Sequence, residues 1–393
     1  MQVLDGIRVV DFGRYIAGPF CATLLGDLGA DVIRVERREG GEDRFVTPVA
    51  ADGTGAMFLQ VGRNKRSLTL DVTKPDGREV VKRLVATADV VVANLPPRTL
   101  VTMGLDYDSL RAVKPDIILT TANAFASGGL ISDKVGFDGL AQAMSGNLHM
   151  TGPADVPTRA AVPYVDFSTA ALSAFATMAA LRHRDQTGEG QLIEGALLRS
   201  ALTISNALLL EQELLHVDRV GTVNRSQTAG PSDVFATADG WILCSVIGGY
   251  QFSRWCELIG EPQLAGDERF KDDQSRGDNG EYLSARMAAW CAERTSAEAL
   301  AAMEAAKIPG GPVYSPQQAL DDDHIEAIGA LTPVDYPTLD GPARVADFPV
   351  VMSKTPGGVQ RRAPLLGEHT DEVLQELGYD ADQIAELRSN AVI

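Results

Sequence analysis

The chain has 393 residues, of which 45% are hydrophobic, and it carries 38 glycines and a formal net charge of −18. This length allows two or three domains, and the apolar fraction excludes a mostly disordered chain. The negative charge argues against broad nucleic-acid binding, because phosphate backbones require a basic face. The four cysteines form no CxxC pair, so neither a zinc ribbon nor a disulfide scaffold is indicated.

No uninterrupted apolar run reaches the roughly 18–20 residues of a membrane-spanning helix, and the opening MQVLDGIRVV lacks signal-peptide features. We therefore expect a cytoplasmic protein that has neither a membrane nor a nucleic acid as its partner. One segment departs from the overall charge. Between Arg34 and Arg66 there are seven basic and five acidic residues, which fits either an ordinary mixed surface or a site for a small anionic ligand.

The first 125 residues alternate strand-like and helix-like segments. Stretches rich in β-branched residues predict strands at 6–12, 31–36, 67–72, 89–94 and 116–121. Helices are predicted for PFCATLLGDLGA, which begins at Pro19, and for residues 77–87. Strands separated by helix-length connections predict an α/β fold with a parallel, doubly wound, Rossmann-like sheet.

Two long helices are predicted next, at 167–184 and 192–215. The first is apolar almost all round, which predicts burial in a core or in a subunit interface. After about Val220, VFATADGWILCSVI predicts two strands around an Asp-Gly turn, followed by a helix near Phe252 and further charged helical segments. These features indicate a smaller α+β domain, and the tail adds one amphipathic helix at 370–377.

The loop GRYIAGP, residues 13–19, follows the first predicted strand, where doubly wound sheets bind ligands. It lacks the GxGxxG spacing, which argues against NAD even though Glu36 ends the second strand where a ribose-binding acid could lie. Hydrolase, zincin and P-loop motifs are absent, and the five histidines have no metal-ligand spacing. We therefore expect neither NAD nor a metal.

Asp166 lies in VPYVDFSTAALSAF, where an apolar stretch meets the start of a helix. A carboxylate there could be a helix N-cap. A carboxylate so placed would also be partly desolvated, which is one way to make a nucleophile. The spacing leaves both roles open.

The ordered motifs resemble the class III CoA-transferases, a family that includes the α-methylacyl-CoA racemases. The resemblance covers essentially the whole chain and rests on seven blocks in order: LDGIRVVDFGRYIAGP with the residues that follow it to EGGEDR, NKRSLTLDVTKPDGREV, VVANLPPRTLVTMGLDYDSL, GFDGLAQAMSG, VDFSTAALSAFATMAALRHRDQTGEGQLIEGALL, VFATADGWI and APLLGEHTDEVLQELGY. It implies an acyl-CoA:carboxylate CoA-transferase with two substrates. One is an acyl-CoA, which supplies the coenzyme A, and the other is a carboxylic acid.

The resemblance also implies an architecture. A large CoA-binding domain is expected from residues 1–218 and 329–393, with a small α+β domain at 219–328. Two chains are expected to form a homodimer whose subunits interlock like linked rings. A lid is expected from the small domain, with Gly248-Gly249-Tyr250 as one candidate and a plain turn as the other interpretation.

The family's catalytic aspartate falls on Asp166, which is expected to form covalent anhydride and thioester intermediates while nearby backbone N–H groups stabilise the oxyanions. The positions expected to contact CoA hold Ala17, Arg38, Leu70, Asn94, Lys134 and Phe137. Lys134 is one residue away from the family's lysine in the alignment. Thr102 stands where the family has an arginine, and Arg98 is a candidate substitute.

Two branches of the family fit less well. The racemases pair the aspartate with a histidine as a second base, and Phe137 stands at that position. The oxalate- and formate-handling members have a glutamine where this chain has Ile16, and a glycine run where it has only Gly221 and Gly230. The first alternative to a transferase is a racemase or related isomerase with an unusual base. The second is a non-catalytic CoA-binding protein.

Overall fold

The computed structural model describes residues 2–393, and the chain divides into two compact units. The larger unit consists of the chain up to Ser145, Ala161–Leu210 and His324–Ile393, so both ends of the chain contribute to it. The smaller unit consists of Gly146–Ala160 and Glu211–Asp323. These ranges differ from the expected domains at residues 146–160, 211–218 and 324–328.

A six-stranded sheet forms the centre of the larger unit. Its strands are β1 (Arg8–Asp11), β2 (Asp31–Glu36), β3 (Lys65–Thr69), β4 (Val90–Ala93), β5 (Ile118–Asn123) and β6 (Leu192–Ala196). All neighbours are parallel, in the order β3-β2-β1-β4-β5-β6. The predicted parallel sheet is confirmed, and its strand order reverses between β1 and β4, where doubly wound sheets bind ligands.

Helices connect the strands and cover the sheet. Up to residue 215 they are α1 (Ala17–Asp27), α2 (Ala56–Val61), α3 (Pro75–Ala86), α4 (Pro97–Met103), α5 (Tyr107–Val113), α6 (Asp138–Met144), α8 (Tyr164–Thr187) and α9 (Leu197–Leu215), while α7 (Asn147–Met150) belongs to the smaller unit. Successive strand residues point to opposite faces. Val9 therefore packs into one buried apolar cluster and Val10 into another, so the sheet has a hydrophobic core on each face.

The predicted helix at 192–215 is wrong over its first five residues, which form β6. These residues pair in parallel with β5, from Leu119 opposite Leu192 to Asn123 opposite Ala196. The backbone hydrogen bonds offered by the edge of β5 outweigh the helical periodicity of the apolar run. Gly195 permits the close approach of α8, because a Cβ there would lie 2.6 Å from the Ser173 hydroxyl oxygen.

Helix α8 is longer than predicted, and it is buried along one face rather than all round. It packs on α1, α6, β5 and β6. By length and composition alone it could cross a membrane, a test that core helices of globular proteins also pass. On its other face Leu172 and Phe175 are 49% and 74% exposed.

The smaller unit contains an antiparallel sheet of β7 (Ser232–Ala236), β8 (Trp241–Ser245) and β9 (Gly310–Pro312). The predicted hairpin is present, with Ala236 opposite Trp241. Its helices are α10 (Gly248–Leu258), α11 (Asp273–Asp278), α12 (Gly280–Ala292), α13 (Ser296–Ala305) and α14 (Pro316–Leu320), with 3-10 turns at Pro262–Gly266 and Glu268–Phe270.

The suggested lid residues Gly248-Gly249-Tyr250 are the first turn of α10, not a free loop. Both carboxylate oxygens of Asp273 accept the Gly248 N–H, at 2.9 and 3.0 Å. This tether makes that segment a poor candidate for a lid.

The tail returns to the larger unit. It contains α15 (Asp323–Ala327), the antiparallel pair β10 (Leu331–Val334) and β11 (Ala343–Ala346), α16 (Thr370–Glu376) and α17 (Ala381–Ser389). Thr370 accepts the Thr69 N–H at 3.1 Å, and Val373, Leu374 and Ile384 join the core beside β3.

Candidate active site

The carboxyl ends of the parallel strands meet at one edge of the sheet, and a cavity of about 540 Å³ opens there. Residues that follow β1, β2, β3 and β4 line it, so it lies at the reversal of strand order. Phe12 and Leu70 supply apolar walls, while Arg37 and Arg38 lie exposed at its rim. An apolar channel with guanidinium groups at one end suits a ligand that joins a flexible chain to phosphates.

Two residues expected to contact CoA, Arg38 and Leu70, line this cavity. Arg38 donates from Nε to the Ile393 carbonyl oxygen at 3.1 Å, which orients its guanidinium. The Leu70 backbone N–H donates to the Glu36 carbonyl at 2.8 Å, which extends the pairing of β2 with β3 to the cavity.

The basic segment between Arg34 and Arg66 is mostly neutralised inside the protein. Its buried cations pair with carboxylates: Arg34 with Asp43 at 2.5 Å, Arg44 with Glu36 at 2.7 Å, Arg63 with Asp27 at 2.7 Å, Lys65 with Asp11 at 2.8 Å and Arg66 with Asp31 at 2.6 Å. Of the seven basic residues, Arg37 and Arg38 are the exposed ones. The positive charge available to an anionic ligand is therefore much smaller than the sequence suggests.

Glu36 does not have a free carboxylate for a ribose. Its two carboxylate oxygens accept from Arg44 Nε at 2.9 Å and Nη2 at 2.7 Å. Although burial raises the pKa of Glu36, the Arg34 and Arg44 charges lower it below its ordinary value. The carboxylate is ionised and serves the packing beside the cavity.

The loop of residues 13–19 is held from two sides. Asn94 accepts the Arg14 N–H and donates to the Arg14 carbonyl, both at 2.7 Å, so its side chain pairs with that residue like a neighbouring strand. Beneath the loop, Lys65 Nζ donates to Asp11 at 2.8 Å and to the Pro19 carbonyl at 2.7 Å. Asn94 thus binds the loop itself, and Lys65 anchors the start of α1.

The same loop extends to the start of α8. Tyr15 has a left-handed backbone, with φ of 59°, and its ring meets the edge of the Phe137 ring at a centroid distance of 5.5 Å. Ala17 is 2% exposed and shares a small apolar cluster with Ala122 and Val165. Ala17 therefore packs beneath the first turn of α8.

Asp166 lies in that first turn, while the N-cap residue of α8 is Pro163. The N-cap interpretation of Asp166 is therefore wrong. The capping carboxylate comes from Asp138, whose Oδ2 accepts the N–H groups of Val165 at 2.8 Å and Asp166 at 3.1 Å. Asp138 is 6% exposed, and its Oδ1 accepts from the side-chain amide of Gln142.

The Asp166 carboxylate is poorly stabilised as an anion. Burial and the negative charge of Asp138 raise its pKa from 3.8 to about 7. Within residues 2–393, no hydrogen bond or ion pair of the structure involves this carboxylate. A carboxylate that is partly desolvated and more basic than usual has the properties of a nucleophile.

Other predicted contacts lie outside the cavity lining. Lys134 and Arg98 are exposed, on the loop before α6 and on α4. Thr102 lines a second cavity of about 340 Å³ together with Arg78. Among residues 2–393, no three His, Cys, Asp or Glu side chains cluster closely enough to hold a metal ion.

Sequence reasoning missed Asp138 and Lys65 as parts of this site. Asp138 follows Phe137 directly in the GFDGLAQAMSG block, so the motif pointed to the right place but not to the residue's partner. Lys65 has no motif of its own, because its role comes from burial next to Asp11.

Comparison with known proteins shows the family of this chain. A protein-family model described as CoA-transferase family III matches residues 4–370. The chain belongs to CoA-transferase family III. The predicted family is thus confirmed, and the chain is an enzyme of the CoA-transferase type.

The curated relatives of this CoA-transferase include the succinyl-CoA–D-citramalate CoA-transferase of Chloroflexus aurantiacus. It is 33% identical over 400 residues, which cover 99% of this chain and 98% of that protein. The succinyl-CoA:mesaconate CoA-transferase of Haloarcula hispanica is 35% identical, with 96% and 97% covered. A CaiB/BaiF family protein from Brucella suis superposes with a TM-score of 0.83 at 31% identity, with 96% of this chain and 99% of that chain covered.

Proposed function

We propose that this CoA-transferase moves CoA from an acyl-CoA to a carboxylic acid through covalent intermediates on Asp166. The observation that carries the proposal is the placement of Asp166. It lies in the first turn of α8, beside β5 and the loop after β1, at the same sheet edge as the 540 Å³ cavity. Acyl-CoA bound in the cavity, with phosphates toward Arg37 and Arg38, would extend its thioester along this edge.

In the first half-reaction, the Asp166 carboxylate attacks the thioester carbonyl carbon. The C–S bond breaks, CoA departs as a thiolate, and an acyl–aspartyl anhydride remains. The thiolate then attacks the aspartyl carbonyl of this anhydride, which releases the donor acid as a carboxylate and leaves an aspartyl–CoA thioester. Asp166 has then exchanged an oxygen-linked acyl group for a sulfur-linked CoA.

The second half-reaction reverses these steps with a new acid. The acceptor carboxylate attacks the aspartyl thioester, expels the CoA thiolate and forms an acceptor–aspartyl anhydride. The thiolate attacks the acceptor's carbonyl, which gives the new acyl-CoA and returns Asp166 as a carboxylate. Every intermediate is hydrolysable, so the exclusion of water during turnover is essential.

We propose succinyl-CoA as the donor and a short dicarboxylic acid as the acceptor. The relatives named above act, by their names, on D-citramalate and mesaconate, and a mouse relative with 34% identity over 100% of this chain is named a succinyl-CoA:glutarate CoA-transferase. Phe137 carries no proton acceptor at the position where a racemase needs its second base, which further supports transfer over epimerisation.

We propose in addition that two chains assemble as an interlocked homodimer. Large apolar side chains remain exposed on the helices of the single chain, including Phe175 at 74% and Leu214 at 71%. Apolar patches of this kind favour a protein partner. A second copy of the chain is the occupant we propose.

The proposed reaction is tested with succinyl-CoA and an acceptor panel of malate, citramalate, mesaconate, glutarate, acetate and oxalate in D₂O. Chromatography of the CoA thioesters should show product with a dicarboxylate and no deuterium at the α-carbon.

Asp166→Asn should lose at least about 10³-fold in rate, while Asp185→Asn, at the exposed end of the same helix, should match the wild type. An active Asp166→Asn enzyme would refute the mechanism. Preference for acetate would refute the substrate class, and deuteration without an acceptor would indicate a racemase.

A further inference from the structure

A second carboxylate lies beside the proposed nucleophile and has no part in the transfer scheme above. Asp138 begins α6, is 6% exposed and accepts the N–H groups of Val165 and Asp166. Pro163 cannot cap α8 with its side chain, so Asp138 performs this function from 28 residues away. A third donor, the side-chain amide of Gln142, fixes the other oxygen of the same carboxylate.

This arrangement leaves the Asp166 carboxylate without the stabilisation that the first turn of a helix usually gives to an anion. A carboxylate in the first turn of a helix is ordinarily stabilised by free N–H groups and by the helix dipole. Here the N–H groups of residues 165 and 166 are committed to Asp138, and the Asp138 carboxylate adds a like charge nearby. Within the described chain, Asp166 has no compensating cation or hydrogen-bond donor.

Other charged groups on α8 and on the helices and strands packed against it are remote or already paired. Asp27, on α1, binds Arg63, and Glu194, on β6, accepts from Ser127. The remaining charged groups lie on the last turns of α8, roughly 25 Å from Asp166 at 1.5 Å per residue: Arg182, His183, Arg184 and Asp185. The other titratable groups are Tyr164, in the first turn of α8, and Cys21 on α1, whose pKa burial raises to about 12. Asp138 is therefore the dominant charged neighbour of the nucleophile.

We propose that Asp138 is a positioning residue for Asp166, which caps the first turn of α8 and keeps a negative charge beside the nucleophile. The inference rests on the proposed function of Asp166. Acylation of Asp166 neutralises its charge and so removes its repulsion with Asp138. The repulsion between the two carboxylates raises the free energy of the free enzyme but not that of the acylated enzyme. Its loss on acylation therefore accelerates the acylation step.

The effect on pH dependence follows from the same contact. The pKa of Asp166 is raised to about 7 by burial and by Asp138, so the nucleophile is basic yet partly ionised near neutral pH. Loss of the Asp138 charge should lower that pKa. The acid limb of the rate profile should therefore move to lower pH, and the plateau rate should fall because the carboxylate is less basic.

Asp138→Asn tests this proposal with little change in shape. The Asn carbonyl can still accept the two backbone N–H groups, and Gln142 can rotate its amide to accept from the new NH₂ group. Asp138→Ala removes both the cap and the charge, and Asp185→Asn is the matched control. The measurement is single-turnover acylation by succinyl-CoA between about pH 5 and 9, with unfolding curves for every variant.

We expect Asp138→Asn to unfold like the wild type, to shift the acid limb down by about one pH unit or more, and to slow the plateau roughly tenfold. Asp138→Ala should also lose stability. An unshifted limb in Asp138→Asn, with or without a uniform loss of rate, would overturn the proposal and leave a purely structural cap. An active Asp166→Asn enzyme would refute both this inference and the proposed function. An inactive Asp166→Asn enzyme, together with an unshifted acid limb in Asp138→Asn, would refute this inference alone.

Discussion

At the scale of single residues, this CoA-transferase is defined by carboxylates with contrasting surroundings. Asp11 lies beside Lys65 and Arg34, which lower its pKa although burial raises it. Burial, and after it the negative charge of Asp138, raises the pKa of Asp166 to about 7, and no cation lies beside it in the described chain. Pairing makes the first a structural anion, and the lack of a partner gives the second the basicity expected of the proposed nucleophile.

The raised pKa of Asp166 predicts a pH-dependent stability cost. Between its ordinary pKa of 3.8 and about 7, the folded state retains a proton that the unfolded state has released, so stability falls as pH rises and levels off above about pH 7. Asp166→Asn should therefore be more stable than the wild type at pH 8, by about 1–3 kcal/mol after solvent screening. The difference should vanish below about pH 4.

Urea unfolding of Asp166→Asn, Asp185→Asn and the wild type at about pH 4 and pH 8 measures this effect. The exposed Asp185 should give no difference at either pH. Equal stabilisation of Asp166→Asn at both pH values would contradict the assignment, because it would not depend on the ionisation of Asp166.

At the scale of elements, the loop after β1 is the part that connects the cavity with the start of α8. Asn94 holds its backbone through both hydrogen bonds of the Arg14 peptide groups, at 2.7 Å each. Asn94→Ala removes these bonds and should loosen the loop. We expect the KM for acyl-CoA to rise roughly tenfold, the equivalent of about 1–1.5 kcal/mol, with a smaller change in kcat.

Initial rates across a range of acyl-CoA concentrations measure this prediction. The matched control is Asn390→Ala at the exposed end of α17, whose side chain lies outside the cavity lining. An unchanged KM in Asn94→Ala would show that the loop keeps its conformation without the clamp.

The packing of β6 on α8 gives a second prediction for elements. A Cβ on Gly195 would lie 2.6 Å from the Ser173 hydroxyl oxygen, and that hydroxyl is buried with no hydrogen-bond partner in the described chain. Gly195→Ala should therefore cost about 1–3 kcal/mol of unfolding free energy. Ser173→Ala should be nearly neutral, and the double variant should recover much of the loss.

Chemical denaturation of the two single variants and the double variant measures the coupling. A double variant as unstable as the sum of the two single variants would contradict the predicted contact, since independent sites add.

The elements also show how far the sequence predicts this fold. The five strands β1 to β5 were predictable because each is a short β-branched run between turns. The strand β6 was not, because LIEGALL has the apolar content of a helix and its partner Leu119 lies 73 residues earlier. Only the tertiary pairing decides between the two structures.

The candidate site, like the strands, could be predicted from the sequence only where local sequence determines it. Motif blocks pointed to Asp166 as the proposed nucleophile and to the 13–19 loop beside the cavity, because each lies within one continuous stretch of sequence. They could not supply the contact of Asp138 with the Asp166 N–H, or the burial of Arg34, Arg44 and Lys65, since these depend on partners distant in sequence. The sequence gives the charges of a segment, and the fold determines how many of them face solvent.

At the scale of the whole molecule, the larger unit is closed by the tail of the chain. Ile384, Leu387 and Val392 join the core that also contains Leu70 and Val80. The net charge of −18 remains on a protein whose proposed substrate is itself a polyanion. With most of its basic segment internally paired, the chain offers Arg37 and Arg38 at the cavity rim for that substrate.

The proposed homodimer predicts a mass. Sedimentation equilibrium should give twice the 41.8 kDa of one chain. Phe175→Glu, which places a charge on the exposed face of α8, should reduce the dimer fraction, because an interface core excludes unpaired charges. Val351→Glu, at an apolar position in the tail that is 94% exposed, should leave it unchanged. A wild-type protein that sediments as a monomer would contradict the assembly.

The central claim is that Asp166 carries the acyl group and the CoA during transfer. The most direct measurement incubates the enzyme with succinyl-CoA alone, traps with hydroxylamine or borohydride, and maps the modified peptide by mass spectrometry. We predict a single modified residue, Asp166, which is absent in Asp166→Asn and present in Asp185→Asn. Modification at any other residue, or full transferase activity in Asp166→Ala, would contradict the account.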